Sequence, residues 1–144
     1  PEKWKKGRKT ELKTVLVLKH REDVAIRKRP DKGLLAGLYE LPNMEGHMSE
    51  EEVISDLRDK GFLPIRIERL PDAVHVFSHK EWHMIAYAVR IDELTENLKD
   101  TKEDYLFIHT KETEEKYPIP SAFLAYAEYL HIKLGNDKFE KRGK

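Results

Sequence analysis

The chain has 144 residues, 39% hydrophobic and 38% charged, with 27 basic against 27 acidic side chains and no cysteine. About two-thirds of the unfolded surface is buried on folding at this length, enough for one domain with its own core. No apolar run approaches the ~20 residues of a membrane span; the lack of cysteine excludes disulfides, thiolate-held metals and a cysteine nucleophile; and the zero formal charge supplies no global attraction to nucleic acid. Charge is nevertheless unevenly placed. Residues 1–13 carry Lys3, Lys5, Lys6, Arg8, Lys9 and Lys13 against Glu2 and Glu11, whereas residues 92–115 are strongly acidic. A phosphate backbone would follow the first segment and be repelled by the second.

Residues 1–11 read as a basic linker or arm, 12–134 as the folded domain and 135–144 as a tail. A chain opening on Pro1 rather than Met is expected to be a piece of a longer polypeptide. From Leu12 to Lys19 the residues alternate, with an upper half apolar on both faces, as in a central strand. His20 to Asp23 turn the chain into a second strand over Val24–Arg29, stopped by Pro30. Gly33–Leu38 is an apolar loop expected to pack under the sheet. After Tyr39–Leu41, Ser49 stands three residues before Glu52, a capping box opening a helix with Val53, Ile54 and Leu57 on its apolar stripe and Gly61 at its end. Ile65–Leu70, Val74–Phe77 and Trp82–Ile91 are predicted strands. Ile91, Leu94 and Leu98 suit a short helix, Tyr105–Ile108 a short strand, and Phe123, Ala127, Leu130 and Leu134 a final helix between Pro118–Ser121 and Gly135-Asn136. The mixture implies an α+β fold, a mixed sheet packed between helices.

Of the seven histidines, His75, His79 and His83 recur at spacings of four, but on strands that spacing does not bring three ligands together, so no metal site is assigned. Ser49 and Ser121 are explained as helix-start residues and Ser55 lies on the helix, which leaves no nucleophilic serine. The tip Phe77-Ser78-His79-Lys80 is different. An aromatic entering a basic turn either packs below or meets a partner, and a ring, a hydroxyl and a basic flank suit a base step, a base edge and phosphate.

The region Gly33–Phe62 resembles a Nudix domain. That family's helix reads Arg-Glu-hydrophobic-any-Glu-Glu-any-Gly-hydrophobic, and its glutamates hold a hydrolytic magnesium. The same nine positions here are Ile54, Ser55, Asp56, Leu57, Arg58, Asp59, Lys60, Gly61 and Phe62. Only Asp59 of the three carboxylate positions (Ser55, Arg58, Asp59) keeps a carboxylate, which implies the fold without the hydrolase.

Gly33-Leu34-Leu35-Ala36-Gly37-Leu38-Tyr39-Glu40-Leu41-Pro42 followed by His75-Val76-Phe77-Ser78-His79 is similar to the C-terminal domain of MutY-type adenine DNA glycosylases, over roughly residues 12–131. The resemblance implies a non-catalytic domain that recognises 8-oxoguanine opposite misincorporated adenine in double-stranded DNA. Phe77, Ser78, His79 and Lys80 become the lesion-reading loop. Adenine excision and an iron–sulfur cluster are implied for an N-terminal domain of the same chain, with no catalytic residue, metal or cofactor in these 144 residues. The implied setting is the nucleoid of the cytoplasm, with no membrane role. Oxidation at C8 makes guanine N7 an N–H donor and adds a carbonyl beside it; a hydroxyl both accepts and donates, so Ser78 answers both changes. The competing expectation is a magnesium-dependent Nudix hydrolase of oxidised nucleoside triphosphates, and a third is a protein-interaction module using the basic arm or the acidic 92–115 segment.

Overall fold

The computed structural model describes residues 8–33, 37–91 and 105–131. Among them seven strands form one mixed sheet: β1 (Lys9–His20), β2 (Asp23–Lys28), β3 (Tyr39–Glu40), β4 (Asn43–Glu45), β5 (Pro64–Val76), β6 (Lys80–Ile91) and β7 (Leu106–His109). Their order is β3-β2-β1-β6-β5, with β4 added on β1 and β7 on β2. At the centre β1 and β6 run parallel, from Lys9 opposite Lys80 to Lys19 opposite Arg90. Val15, Leu16, Val17 and Leu18 are all fully buried because both faces of this strand are covered, the condition that its unbroken apolar run requires. The strand begins three residues before the alternation at Leu12 indicates, because Lys9, Thr10 and Glu11 find hydrogen-bonding partners on β6.

One face packs Val15, Val17, Trp82, Met84 and Ala86 against Phe123, Tyr126 and Leu130; the other packs Leu16, Leu18, Ile85 and Tyr87 against Val53, Leu57 and Phe62. The second group rides on α1 (Glu50–Asp59), and its start is the expected capping box: Ser49 Oγ accepts from Glu52 N–H at 3.2 Å and Glu52 Oε1 from Ser49 N–H at 2.9 Å. The backbone N–H of Ser49 and then its hydroxyl hold the Glu52 carboxyl below its ordinary value. Gly61 closes the helix at φ +97°, a left-handed conformation that favours glycine.

Three expectations change. The two strands Ile65–Leu70 and Val74–Phe77 are one edge strand, β5, whose register shifts between Leu70 and Ala73; Pro71 is tolerated there because it lies in this irregularity at the sheet edge. The final helix, over its described part Ser121–His131, has 3₁₀ geometry, opened by Phe123 N–H donating to Pro120 O at 2.9 Å. Its buried Phe123 and Tyr126 stand three apart, a spacing that a three-residue turn also places on one face. The described ends of the Gly33–Leu38 loop do not pack under the sheet: Gly33 is exposed and Leu38 is 48% exposed, with Gly37 turning at φ +74°. The short helix read from Ile91, Leu94 and Leu98 and the closing Gly135-Asn136 fall on or continue into residues outside those described. A single-turn helix, α2 (Glu112–Glu115), follows β7. No helix among the described residues is long and apolar enough to cross a membrane.

Candidate nucleic-acid interface

The turn joining β5 to β6 is closed by Phe77 N–H donating to Lys80 O at 2.7 Å. Ser78 and His79 are its two central residues, both exposed. The turn is also held from the side: Lys9 N–H donates to His79 O at 2.9 Å, so the start of β1 is laced to the tip. Phe77 itself is half-buried against the core. Its ring meets His75 edge-on at 4.7 Å between centroids and Trp82 at 4.9 Å, and Trp82 continues inward to Phe123 at 5.8 Å. Such contacts each add about 0.5–1.5 kcal/mol beyond area burial, so this aromatic column stiffens the tip. Any insertion of Phe77 at a base step is therefore limited to the part of the ring that its neighbours leave uncovered.

Glu11 completes the support. Its carboxylate accepts from Trp82 Nε1–H at 3.0 Å and meets Lys80 Nζ at 3.4 Å. Burial works against its charge, but the indole N–H together with Lys80 and Lys13 outweighs burial and holds Glu11 below its ordinary value. Lys13 Nζ and Arg29 Cζ lie 5.1 and 5.4 Å from the centroid of the Trp82 ring. Trp82 thus joins the tip to a basic region on β1 and the end of β2. Glu11, Lys13, Arg29 and Trp82 escape the sequence reading; the available signal was the parallel register that puts Glu11 opposite Trp82, which composition alone does not reveal.

His75, His79 and His83 do not converge. His75 packs on Phe77, His79 is exposed at the tip, and His83 Nε2 lies 2.9 Å from Glu81 Oε1. No group of three metal-ligating side chains occurs among the described residues. On α1, Ser55, Arg58 and Asp59 are exposed, and only the last can offer a carboxylate to a divalent ion.

A capped helix packed on one face of a mixed sheet, with Ser55, Arg58 and Asp59 exposed on it, defines the class. The NUDIX domain family model matches residues 14–129, and the chain belongs to that family. Among individual proteins, the mouse (Mus musculus) adenine DNA glycosylase is 36% identical over 76 residues, a match covering 49% of this chain and 15% of that protein, so the chain spans only a small part of that relative. The C-terminal domain of mouse MUTYH, solved in complex with human PCNA, superposes with a TM-score of 0.64 at 20% identity, covering 92% of this chain and 89% of that one. The MutT NUDIX hydrolase from Burkholderia pseudomallei gives 0.63 at 14% identity, covering 88% and 100%. At these identities the structural matches establish the fold.

Proposed function

We propose that this domain reads the damaged strand for an adenine DNA glycosylase. Ser78 recognises 8-oxoguanine opposite misincorporated adenine in double-stranded DNA, and a catalytic domain, carrying the iron–sulfur cluster, removes the adenine. The domain itself takes no cofactor and performs no chemistry, and it works where the genome lies, in a bacterial setting the nucleoid. One observation carries the reading: an exposed hydroxyl on a turn that is closed by its own backbone and seated on the Phe77–Trp82–Phe123 column. A stiff turn presents its donor and acceptor without a further ordering cost on binding. The 36% identical glycosylase supports the same role.

Normal guanine offers only acceptors on that edge, so the lost pairing is worth about 1–3 kcal/mol, or roughly ten- to a hundredfold. The remaining selectivity of such an enzyme comes from coupling, in which lesion contact favours extrusion of the opposing adenine at a cost of a few kcal/mol. His79 and Lys80 flank the hydroxyl for phosphate, Lys80 while balanced against Glu11.

The competing hydrolase reading conflicts with α1, where Ser55 and Arg58 occupy carboxylate positions. Titration of the chain into fluorescent duplexes separates the two. Tighter binding to a duplex holding 8-oxoguanine opposite adenine than to the undamaged mispair, with no magnesium-dependent phosphate release from 8-oxo-dGTP, is the expected pattern. Equal binding to both duplexes with magnesium-dependent turnover would replace the lesion reader with an enzyme.

A further inference from the structure

We propose that Glu11 is a counter-charge on the turn that meets the lesion: by holding the Lys80 ammonium it limits the turn's sequence-independent pull on DNA phosphate, so that undamaged duplex stays weakly bound and the Ser78 contact sets which duplex is retained; the link to DNA rests on the lesion-reading role above. Glu11 reaches the turn across the parallel pairing, in which Lys9 faces Lys80 and Glu11 faces Trp82. Alternate residues of a strand share a face, so Lys9, Glu11 and Lys13 on β1 stand on the same side of the sheet as Lys80 and Trp82 on β6. The two oxygens of the carboxylate are divided between neighbours. Oε1 accepts from the Trp82 indole N–H at 3.0 Å, and Oε2 lies 3.4 Å from Lys80 Nζ. Lys80 is also part of the turn through its backbone, since its carbonyl accepts from Phe77 N–H.

A neutral acceptor would satisfy the indole N–H as well as a carboxylate does, so the charge at position 11 is not there for Trp82 alone. Stability does not account for it either. The Glu11 side chain is 20% exposed and that of Lys80 42% exposed, and ion pairs so open to solvent add little to folding. The charge is nevertheless kept: burial disfavours it, but the Trp82 N–H, Lys80 and Lys13 together hold the carboxyl below its ordinary value. Lys13 has a carboxylate of its own in Glu45, which leaves Glu11 to face Lys80. An ammonium balanced in this way can turn to a phosphate only by giving up its carboxylate. An unbalanced one gains the full release of a counterion for the phosphate that it neutralises.

The test compares the wild-type chain with Glu11→Gln, Lys80→Gln, the double variant and Ser78→Ala. Each is titrated with a duplex holding 8-oxoguanine opposite adenine and with its undamaged counterpart, between about 50 and 200 mM salt. Urea unfolding of each variant gives the folded fraction to which its affinities are referred. Glu11→Gln keeps an amide oxygen for the Trp82 N–H and removes only the charge. It is expected to tighten both duplexes by the same factor and to steepen the log K against log salt slope by about one, so that the gain grows roughly threefold from the highest salt to the lowest. Lys80→Gln should flatten the slope, and adding Glu11→Gln to it should change nothing further. Ser78→Ala should alter only the ratio between duplexes. A wild-type slope in Glu11→Gln overturns the counter-charge. So does a steepening that persists in the double variant, because the carboxylate would then repel phosphate directly instead of acting through Lys80. Duplexes bound alike by wild type and Ser78→Ala, with the Glu11→Gln steepening present and abolished by Lys80→Gln, uphold the counter-charge and overturn the lesion reading alone.

Discussion

The helix α1 and the β5–β6 tip divide packing from exposed chemistry in opposite ways. Both are locally well specified. In α1 the defining features are mechanical: the Ser49–Glu52 capping box, buried Val53 and Leu57, and the Gly61 stop, while Ser55, Arg58 and Asp59 lie on the exposed face. In the tip the arrangement is reversed. Mechanics lie below, in Phe77 and Trp82, and the exposed residues Ser78 and His79 carry donors and acceptors. Packing therefore holds the helix in place whatever its exposed face carries, and the same packing supports a turn whose exposed face is polar.

This contrast makes separable predictions. Trp82→Ala should have the largest effect, because the ring is 1% exposed and is contacted by Phe77 and Phe123: about 3–5 kcal/mol of stability lost in urea unfolding. Lesion preference should collapse in the fraction that remains folded, since the tip loses its floor. Leu57→Ala should cost about 2–5 kcal/mol by the same measurement, as a fully buried residue of α1, yet leave the ratio of lesion to undamaged binding unchanged in the folded protein. A changed ratio would show that the helix still shares in recognition.

A third site, remote from both regions, serves as a control with the smallest effect at neutral pH. Burial pushes Lys19 down to about 8, although Asp23 and Glu22 oppose the shift, and its ammonium donates to Leu130 O. The unfolded chain then holds more protons than the folded one between about pH 8 and the ordinary lysine value, so stability contributed by this residue rises with pH across that window. Lys19→Met should remove that rise in pH-dependent urea unfolding without altering DNA selectivity; an unchanged profile would mean that the charge is not desolvated.

How much was legible in the sequence depended on whether the signal was local. The capping box, the turn at Phe77–Lys80 and the both-faces burial of Val15–Leu18 are read correctly, because the first two are set by neighbours within a few residues and the third is written in an unbroken apolar run. The bulge at Pro71 looked like a strand break because proline excludes itself from a regular ladder, and only the edge position and the resulting irregularity reconcile it with one strand. The supporting partners were hidden for a topological reason. Glu11 reaches Trp82 across a parallel pairing, and Arg29 shares Glu40 with Arg27 from the adjoining strand, so neither appears as a motif. What Ser78 meets was suggested by resemblance rather than by spacing.

The account turns on a pairing between the Ser78 hydroxyl and the oxidised edge of guanine, and a thermodynamic cycle measures it directly. Wild type and Ser78→Ala are each titrated with 8-oxoguanine and guanine duplexes opposite adenine, with unfolding curves confirming equal stability. A coupling of about 1–3 kcal/mol between the lost hydroxyl and the lost oxidation is the result expected. Coupling indistinguishable from zero, with both duplexes weakened alike, would contradict it.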